Sequence, residues 1–487
     1  MTHELERLAS TCILPGFEGP TVPDWVRRRL AEGLGGVVLY AWNVESREQL
    51  ASLTGDLYAE RADPVVAIDE EGGDVTRLEA ATGSSYPGNG ALGVVDDAEL
   101  TERVAASMGA ELASVGVNLD FAPVADVNTN PQNPVIGIRS FGSDEALVAR
   151  HVSAFVRGLQ RAGPAACAKH FPGHGDTSVD SHLALPSVED LDQRALVPFR
   201  AAIDAGARSI MTAHIVVRSL GEVPATMSRE LLHDLLRTEL GFDGLVVTDA
   251  LEMKAISETV GVEEGAVRAI AAGADALCLG HDLFDEPVLA VRRALVEAVR
   301  SKRLPEERLV SAASRVATIA AASPPSAVDV DQEAGRTAAR RALQVDGDER
   351  IDGPVLVVEL EPEVGMAAGR LSQLPGEWFR AIVPDVELRT FDEGTFDAGV
   401  VRDGQSLVVI ARDAHRHEWE RAAIDALTAH AADAIVIEIG LPGWRPAAAR
   451  TYVATHGAAR VNMEAAAEAL YSGSRRGVEQ SGSSPGS

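Results

Sequence analysis

Short apolar runs rich in β-branched residues alternate with longer Ala-, Leu- and Arg-rich stretches between about residues 35 and 280. Each run ends near ionisable residues, and the stretch that follows has the periodicity of a helix. Seven runs follow this pattern: Gly36–Tyr40, Pro64–Ile68, Val117–Phe121, Ala165–Ala168, Ser209–Thr212, Gly244–Thr248 and Ala274–Leu279. Continuous apolar runs bounded by Gly or Pro are typical of parallel strands that are buried on both faces. The pattern therefore predicts repeated βα units.

Two architectures accommodate such repeats: a closed (β/α)8 barrel of the TIM type and an open, doubly wound sheet. The repeating part has roughly the 250 residues usual for the barrel. The reactive side chains also favour the barrel, because barrel enzymes carry their chemistry at the C-terminal ends of the strands. Six ionisable residues lie at or just past the ends of the runs: Asp69, Lys169, His170, His214, Asp249 and His281. We therefore predict a (β/α)8 barrel with its site at this face.

The chain is long enough for two domains, since 487 residues, 46% of them hydrophobic, exceed one ordinary core. Residues 1–322 form the predicted barrel and catalytic domain. Residues 323–352 combine a Pro/Ser turn, acidic segments and a short Ala/Arg-rich helix, and are predicted to connect the domains. Residues 353–472 are predicted to form a smaller α/β sandwich domain, and residues 473–487 a disordered tail. The second domain is inferred from three apolar runs and one helical pattern: Pro354–Leu360, Ser406–Ala411, Ala434–Ile439 and Trp419–Leu427.

Charge and composition exclude several classes of partner. The chain has 44 Lys+Arg against 73 Asp+Glu, a net charge of -29, which would repel a nucleic-acid backbone. Its three cysteines, Cys12, Cys167 and Cys278, cannot form a disulfide framework and indicate a reducing compartment. Residues 1–7 lack the basic start of a secretory signal, and no apolar run reaches the roughly 18 residues of a membrane span. The sequence predicts a soluble cytoplasmic protein without nucleic-acid or membrane partners.

The segment from Lys169 to Pro186 is the densest cluster of ionisable and turn-forming residues. It contains three histidines, His170, His174 and His182, together with Asp180. Proline and glycine at positions 172, 173 and 175 break regular structure just past a predicted strand. We therefore expect the three histidines and Asp180 to lie on a long irregular loop at the catalytic face.

Two chemistries fit this loop. A zinc site would use imidazoles and a carboxylate as ligands, but His170 and His174 share one face only in a helix, which Pro172 disfavours. Asp180 and His182 are better explained as a dyad, in which the carboxylate fixes the imidazole tautomer and the other ring nitrogen exchanges a proton near neutral pH. The alternative without chemistry is a surface loop whose polar residues cap turns.

Asp249 follows the buried run Gly244–Thr248 and has two possible roles. As a structural residue, it would cap the N-terminus of a helix that starts at Ala250. As a functional residue, its ionised carboxylate would attack an electrophilic carbon and form a covalent intermediate, as in retaining glycosidases.

A triplet of acids, Asp69 to Glu71, precedes two glycines that would let a ligand approach the backbone. Three adjacent like charges must point into solvent or find partners. Arg139 is a candidate partner, or a planar hydrogen-bond donor to substrate hydroxyls, or a solvated surface residue.

Four segments together resemble the bacterial β-N-acetylhexosaminidases of glycoside hydrolase family 3, in particular the NagZ-type branch. The matching segments are Ile68–Gly73, Ile136–Gly142, Lys169–Thr177 followed by Asp180–His182, and Val247–Leu251. The resemblance covers roughly residues 5 to 320, and residues from about 350 to 472 resemble the second α/β domain of two-domain members. The sequence departs from common family residues at Glu70, Asp74 and Ala250, where members often have Gln, Arg and Asp.

The resemblance implies a role for each matched position. Asp249 would be the nucleophile, and His182, oriented by Asp180, the general acid/base. The remaining positions would bind the hydroxyls of a terminal N-acetylglucosamine: Asp69, Arg139, Lys169, His170 and His174. The implied reaction is retaining hydrolysis of a small carbohydrate, a cell-wall fragment or chitin oligomer, without metal or organic cofactor.

Three alternatives stay open at this point. An imidazole does not repel anions as a carboxylate does, so phosphate could replace water and the enzyme would be a phosphorylase. A zinc hydrolase would use His170, His174 and His182. A protein that binds sugar without turnover is disfavoured by the intact Asp249, Asp180 and His182.

Overall fold

The computed structural model describes residues 2–177, 185–280, 284–321, 328–348, 350–361, 374–402, 405–431 and 433–471. The first part of the chain alternates strands and helices, as the apolar runs predict. Its strands are β1 (Ile13–Leu14), β2 (Gly36–Leu39), β3 (Val65–Ile68), β4 (Leu119–Asp120), β5 (Ala165–Phe171), β6 (Ser187–Val188), β7 (Ser209–Thr212), β8 (Val216–Val217), β9 (Leu245–Thr248) and β10 (Leu277–Cys278). Its helices are α1 (Thr2–Thr11), α2 (Asp24–Ala31), α3 (Arg47–Glu60), α4 (Asn89–Val95), α5 (Ala98–Ser114), α6 (Glu145–Ala162), α7 (Val197–Asp204), a π-helix (Glu230–Glu239), α8 (Lys254–Ser257), α9 (Val262–Ala272), α10 (Asp285–Arg300) and α11 (Glu306–Ala320).

Among the described residues, eight strands form the barrel. Parallel pairing runs in the order β2-β3-β4-β5-β7-β9, and a parallel bridge between Val247 and Ala276 joins β9 to the segment before β10. Strand β10 pairs in parallel with β1, and the Val38 N–H in β2 donates to the Pro15 carbonyl beyond β1 at 2.9 Å. The predicted TIM-like barrel is confirmed. Its eighth strand, β1, lies before the seven predicted runs and has only two residues.

Two layers of apolar side chains hold the barrel together. Inside it, Val38, Leu119, Cys167 and Val247 are buried against one another. Between the strands and the surrounding helices, alternate strand residues such as Val66 pack on the helices in a larger cluster. Because both faces of the strands are buried, polar groups concentrate at the ends of the strands, where the site lies.

The second part of the chain forms another sheet with helices on both faces. It contains α12 (Gln332–Ala342), β11 (Gln344–Asp346), β12 (Val355–Leu360), α13 (Pro375–Arg380), β13 (Val386–Phe391), β14 (Ser406–Ala411), α14 (Glu418–Thr428), β15 (Ile435–Glu438), β16 (Thr451–Ala454) and α15 (Arg460–Leu470). Among the residues that the structure describes there, the strand order is β11-β16-β15-β14-β12-β13, and β11 alone is antiparallel to its neighbour. Trp378 of α13 and Met463 of α15 pack on one face, and Ile424 of α14 packs on the other. The predicted α/β sandwich is confirmed.

Helix α12 occupies the segment predicted to connect the two domains. Its Ala334 and Ala338 are buried in the cluster that surrounds the barrel strands. Its Gly335 approaches the barrel so closely that a Cβ atom there would lie 2.1 Å from the Ser85 carbonyl oxygen. Helix α12 is therefore packed against the barrel, whereas β11, which follows it in the same segment, pairs with β16 of the second sheet. The predicted tail, residues 473–487, lies outside the described residues. In the described ranges, none of the helices is long and apolar enough to cross a membrane.

Candidate active site

The side chains predicted for the site come from strands that end at the same face of the barrel. Asp69 directly follows β3, and Asp249 directly follows β9. Lys169 and His170 are among the last three residues of β5. This strand continues to Phe171 instead of ending at Ala168, as the sequence indicates. His170 is therefore a strand residue and not a loop residue. Parallel strands bring these groups together because their carboxyl ends share one edge.

A buried carboxylate, Glu71, lies at the centre of the cluster. The Lys169 Nζ donates to Asp69 Oδ1 at 2.6 Å and lies 2.7 Å from Glu71 Oε1. The Arg139 guanidinium donates to the same carboxylate, through Nε to Oε2 at 3.0 Å and through Nη2 to Oε1 at 2.8 Å. The side chains of Lys169 and Glu71 are each only 2% exposed. Glu71 thereby fixes two of the predicted sugar-binding cations in one geometry.

The charges in this cluster stabilise one another. Burial by itself would raise the pKa of the Glu71 carboxyl, but Arg139 and Lys169 outweigh burial and hold that pKa well below its usual range. Burial would lower the pKa of Lys169, but Asp69 and Glu71 outweigh it and raise that pKa. Glu71 and Lys169 are therefore ionised at neutral pH. Such a cluster presents charged donors and acceptors to a polar ligand such as a sugar.

A second buried carboxylate, Asp126, holds His170 and His174. Asp126 Oδ2 lies 2.7 Å from His170 Nδ1, and Asp126 Oδ1 accepts the His174 backbone N–H at 2.6 Å. Burial would raise the pKa of Asp126, but His170 more than offsets this and lowers it. With Nδ1 bonded to the carboxylate, a neutral His170 ring has its acceptor at Nε2. Asp126 thus sets the orientation of His170.

His174 is a neutral, fully packed ring. Its Nδ1 lies 2.6 Å from Thr177 Oγ1, and its carbonyl accepts from Asn133 Nδ2 at 2.9 Å. Burial lowers the pKa of His174 to about 4, and the nearby charges of Asp126 and Asp249 only partly oppose this. In the closed strand order β9 lies across the barrel from β3, so Asp249 and Asp69 lie opposite each other at the same end of the barrel.

Asp249 is partly exposed and its carboxylate is held by local contacts. Its Oδ1 accepts the Ala250 N–H at 2.8 Å, and its own N–H donates to the Thr212 carbonyl at 3.2 Å. The next helix, α8, begins at Lys254 with Met253 as its capping residue. Asp249 is therefore not the cap of a helix that starts at Ala250, and the structural alternative for this residue is wrong.

His214, which follows β7, supports the backbone beside Asp249. Its Nε2 lies 3.0 Å from the Ala250 carbonyl oxygen, and its Nδ1 lies 2.8 Å from Thr226 Oγ1. Thr226 in turn bonds Thr212 through their hydroxyls at 2.8 Å. The position of His214 at a strand end is the sequence signal for this role, although its partners are not visible in the sequence.

The two other acids near Asp69 are directed away from the cluster. Glu70 Oε2 accepts the N–H groups of Arg77 at 2.8 Å and Leu78 at 3.0 Å, and burial raises its pKa to about 7. Asp74 pairs with Arg412 of the second sheet and is buried. The carboxylates of Glu70 and Asp74 therefore do not face a ligand that is bound at Asp69.

The structure brings together Asp69, Arg139, Lys169, His170 and His174, with Asp249 facing them. Asp180, His182 and the strand-end residue His281 lie outside the described residues. His170 and His174 have ring centroids 6.1 Å apart. Within the described part of the chain, no group of three His, Cys, Asp or Glu side chains is arranged to hold a metal ion.

The partners that orient the predicted residues are not evident from the sequence. Glu71 belongs to the acidic triplet, but the sequence does not tell which of the three acids points inward. Asp126 lies five residues past the run Val117–Phe121 and has no periodic signal. The sequence signal for Asp126 is its position shortly after a buried strand. The other strand ends of this chain carry cations and imidazoles, which an acid at this position could bind.

The barrel is similar to known protein sequences, and both domains together are similar to a solved structure. Residues 16–319 match the family profile described as Glycosyl hydrolase family 3 N terminal domain. The chain is 36% identical over 334 residues to "Beta-hexosaminidase A" of Pseudoalteromonas piscicida, which covers 61% of this chain and 55% of that protein. It is 36% identical over 280 residues to "Beta-hexosaminidase" of Stenotrophomonas maltophilia, covering 55% of this chain and 82% of that protein. The match thus spans little more than half of the first relative.

A solved structure extends the similarity to almost the whole chain. The glycoside hydrolase family 3 beta-N-acetylglucosaminidase from Paenibacillus sp. str. FPU-7 superposes with a TM-score of 0.85 and 35% sequence identity. The alignment covers 96% of this chain and 97% of that chain. The pairing of a barrel with a second sheet domain is therefore shared with that protein.

The low pKa of His174 predicts a specific acid sensitivity. The unfolded chain binds a proton at this ring below its usual pKa of about 6.5, whereas the folded protein does not until about pH 4. The contribution of His174 to the free energy of unfolding is therefore complete above pH 6.5 and is lost as the pH falls toward 4, by about 3 kcal/mol. Urea unfolding between pH 4 and pH 7 measures this loss.

His174→Asn should lose about 3 kcal/mol less than the wild type over this range, because asparagine does not titrate. The exposed His233 provides the matched control, and His233→Asn should follow the wild type. Equal losses in the wild type and His174→Asn would contradict the assignment of a buried neutral ring.

Proposed function

The match over residues 16–319 means that the chain belongs to glycoside hydrolase family 3, and from this premise we propose that it is a retaining exo-β-N-acetylglucosaminidase. The reaction would hydrolyse terminal, non-reducing β-N-acetylglucosamine through a covalent glycosyl-enzyme. The observation that carries the proposal is the partly exposed Asp249 carboxylate at the end of β9, opposite the ionised cluster around Glu71. Relatives and a structural neighbour whose names specify hexosaminidase or N-acetylglucosaminidase support this assignment.

The cluster around Glu71 would bind the sugar. Asp69 and Lys169 form a charged pair at 2.6 Å, and the Asp69 side chain is 19% exposed, so one carboxylate edge can accept hydroxyl protons. Arg139 and His170, oriented by Glu71 and Asp126, would add a cationic donor and an imidazole ring. Because these partners are already in place, little conformational entropy would be lost when a sugar binds.

Asp249 would act as the nucleophile. Its carboxylate would attack the anomeric carbon while the bond from that carbon to the leaving oxygen breaks, and protonated His182 would give its proton to that oxygen. In the second step neutral His182 would take a proton from water, and the resulting oxygen nucleophile would displace Asp249. The roles of His182 and Asp180 rest on their sequence motif, since both lie outside the described residues.

We further propose that the substrate is a cell-wall fragment or chitin oligomer and that the enzyme acts in the cytoplasm. An imidazole acid/base carries no negative charge, so it would tolerate an anionic fragment near the site. The three cysteines are all buried free thiols, which fits a reducing compartment. The proposed domain limits remain 1–322 for the catalytic domain and 353–472 for the second domain.

Release of nitrophenol from the β-N-acetylglucosaminide and the β-glucoside, with and without phosphate, tests the function. We expect turnover of the N-acetyl sugar and free N-acetylglucosamine as its product even in phosphate, unaffected by a chelator. N-acetylglucosamine 1-phosphate as the main product would instead show a phosphorylase. Loss of turnover in chelator would show a metal-dependent enzyme, and absence of turnover of either sugar would contradict the proposal.

Asp249→Asn should lower kcat/KM by about three orders of magnitude or more, because the amide is not a nucleophile. The fold should be kept, since asparagine retains the oxygen that accepts the Ala250 N–H. Asp243→Asn makes the same chemical change at a side chain that is 93% exposed before the same strand, and should keep wild-type activity within about twofold. Retained turnover in Asp249→Asn would show that another group forms the intermediate.

A further inference from the structure

The turn that follows β3 carries the acids of the proposed sugar site and is anchored on both sides. The Glu71 N–H donates to the Val75 carbonyl at 2.9 Å, which closes a tight antiparallel turn. On one side of the turn, the Glu71 carboxylate bonds Lys169 and Arg139 of the barrel. Asp74, three residues later, has its partners elsewhere in the molecule.

These partners belong to the second sheet domain. Arg412 donates from Nη2 to Asp74 Oδ2, and the Ala458 N–H lies 3.3 Å from Asp74 Oδ1. The Asp74 side chain is 3% exposed and that of Arg412 is 17% exposed. Removing one member of an ion pair that is so little exposed to water is costly, because the remaining charge loses its oppositely charged partner in a poorly solvated place.

Both partners lie at the edge of the second sheet where its parallel strands end. Arg412 directly follows β14, and Ala458 follows β16 by four residues. The five parallel strands have the order β13-β12-β14-β15-β16, a doubly wound arrangement that reverses between β12 and β14. In open α/β sheets, ligands bind outside the carboxyl ends of the strands at this reversal. Here Asp74, in the turn that follows β3 of the barrel, contacts Arg412 at that position.

The backbones of the two domains touch at this contact. A Cβ atom on Gly457 would lie 2.4 Å from the Pro87 carbonyl oxygen, and one on Gly90 would lie 3.0 Å from the His456 carbonyl oxygen. The Gly73 N–H donates to the Tyr86 carbonyl at 2.9 Å, so the turn is bonded to the segment against which Gly457 packs. The second domain therefore restricts the turn through direct backbone contact as well as through the ion pair.

We propose that Arg412 is a positioning residue that holds the sugar-binding turn, residues 69–75, in its binding conformation from the second domain. The inference rests on the proposed function and adds a role for the second domain. Arg412 touches neither Asp69 nor Glu71 in the described contacts and acts through Asp74. Without its guanidinium, the turn opens for part of the time, and only the closed fraction binds sugar.

This mechanism changes binding more than chemistry. When only a fraction of the molecules is competent, the apparent dissociation constant rises by the inverse of that fraction, whereas saturating ligand restores the competent state. We therefore expect Arg412→Met to raise KM for the nitrophenyl β-N-acetylglucosaminide about tenfold and to change kcat by less than about twofold. Arg412→Lys, which keeps the charge, should bring KM back to within about threefold of the wild type.

Arg445→Met is the matched control. Arg445 pairs with Asp346 and lies over the Tyr452 ring, so its described partners are all in the second sheet, and its side chain is 47% exposed. This variant should keep the wild-type KM and kcat. Circular dichroism and thermal unfolding establish that each variant is folded before kinetics are compared.

Gly457→Ala tests the same contact independently if Arg412→Met does not fold, and it should also raise KM with kcat preserved. A folded Arg412→Met or Gly457→Ala with wild-type KM would overturn the proposal. A fall in kcat with unchanged KM would overturn it as well. Wild-type protein that does not turn over the N-acetyl sugar would instead contradict the proposed function, so the two failures are distinguishable.

Discussion

The buried Glu71 carboxylate is the group on which the geometry of the site depends. A carboxylate 2% exposed to water requires compensation by cations and hydrogen bonds, and here Lys169 and Arg139 both supply it. This requirement ties three distant segments together: the turn after β3, the end of β5 and the loop that carries Arg139. The same contacts that neutralise Glu71 also direct two cations at the place where we propose that the sugar binds. Stability and ligand recognition therefore depend on one set of bonds.

A second buried acid repeats this arrangement at the end of β5. Asp126 binds the His170 ring and the His174 backbone, so it fixes the end of the strand and the start of the loop that follows. Glu71 and Asp126 are therefore proposed to act indirectly. Each orients neighbouring side chains that would contact the sugar. A chain with a net charge of -29 thus contains a site in which buried acids are matched locally by cations and imidazoles.

The sequence was sufficient to predict the barrel and most of its strand-end residues. Buried parallel strands are visible as continuous apolar runs, and ionisable side chains follow the ends of these runs. It did not reveal β1, whose two residues form no run, or β13, an edge strand whose side chains are only partly buried or exposed. The sequence indicates that Glu70, Glu71 and Asp74 lie near the site, but it does not tell in which direction each side chain points. Glu71 and Asp74 are directed by Arg139 and Arg412, which lie far away in the chain and meet these acids only in the folded protein. Glu70 is held by the backbone N–H groups of the nearby Arg77 and Leu78.

Substitution of two adjacent acids tests whether Glu71 organises the site. Glu71→Gln and Glu70→Gln make the same chemical change at two buried carboxylates, of which only Glu71 contacts Lys169 and Arg139. Hydrolysis of nitrophenyl β-N-acetylglucosaminide by the folded variants gives kcat/KM for each. We expect a fall of at least about 100-fold for Glu71→Gln and a change within about threefold for Glu70→Gln. Similar values for the two variants would contradict the claim that Glu71 organises the site.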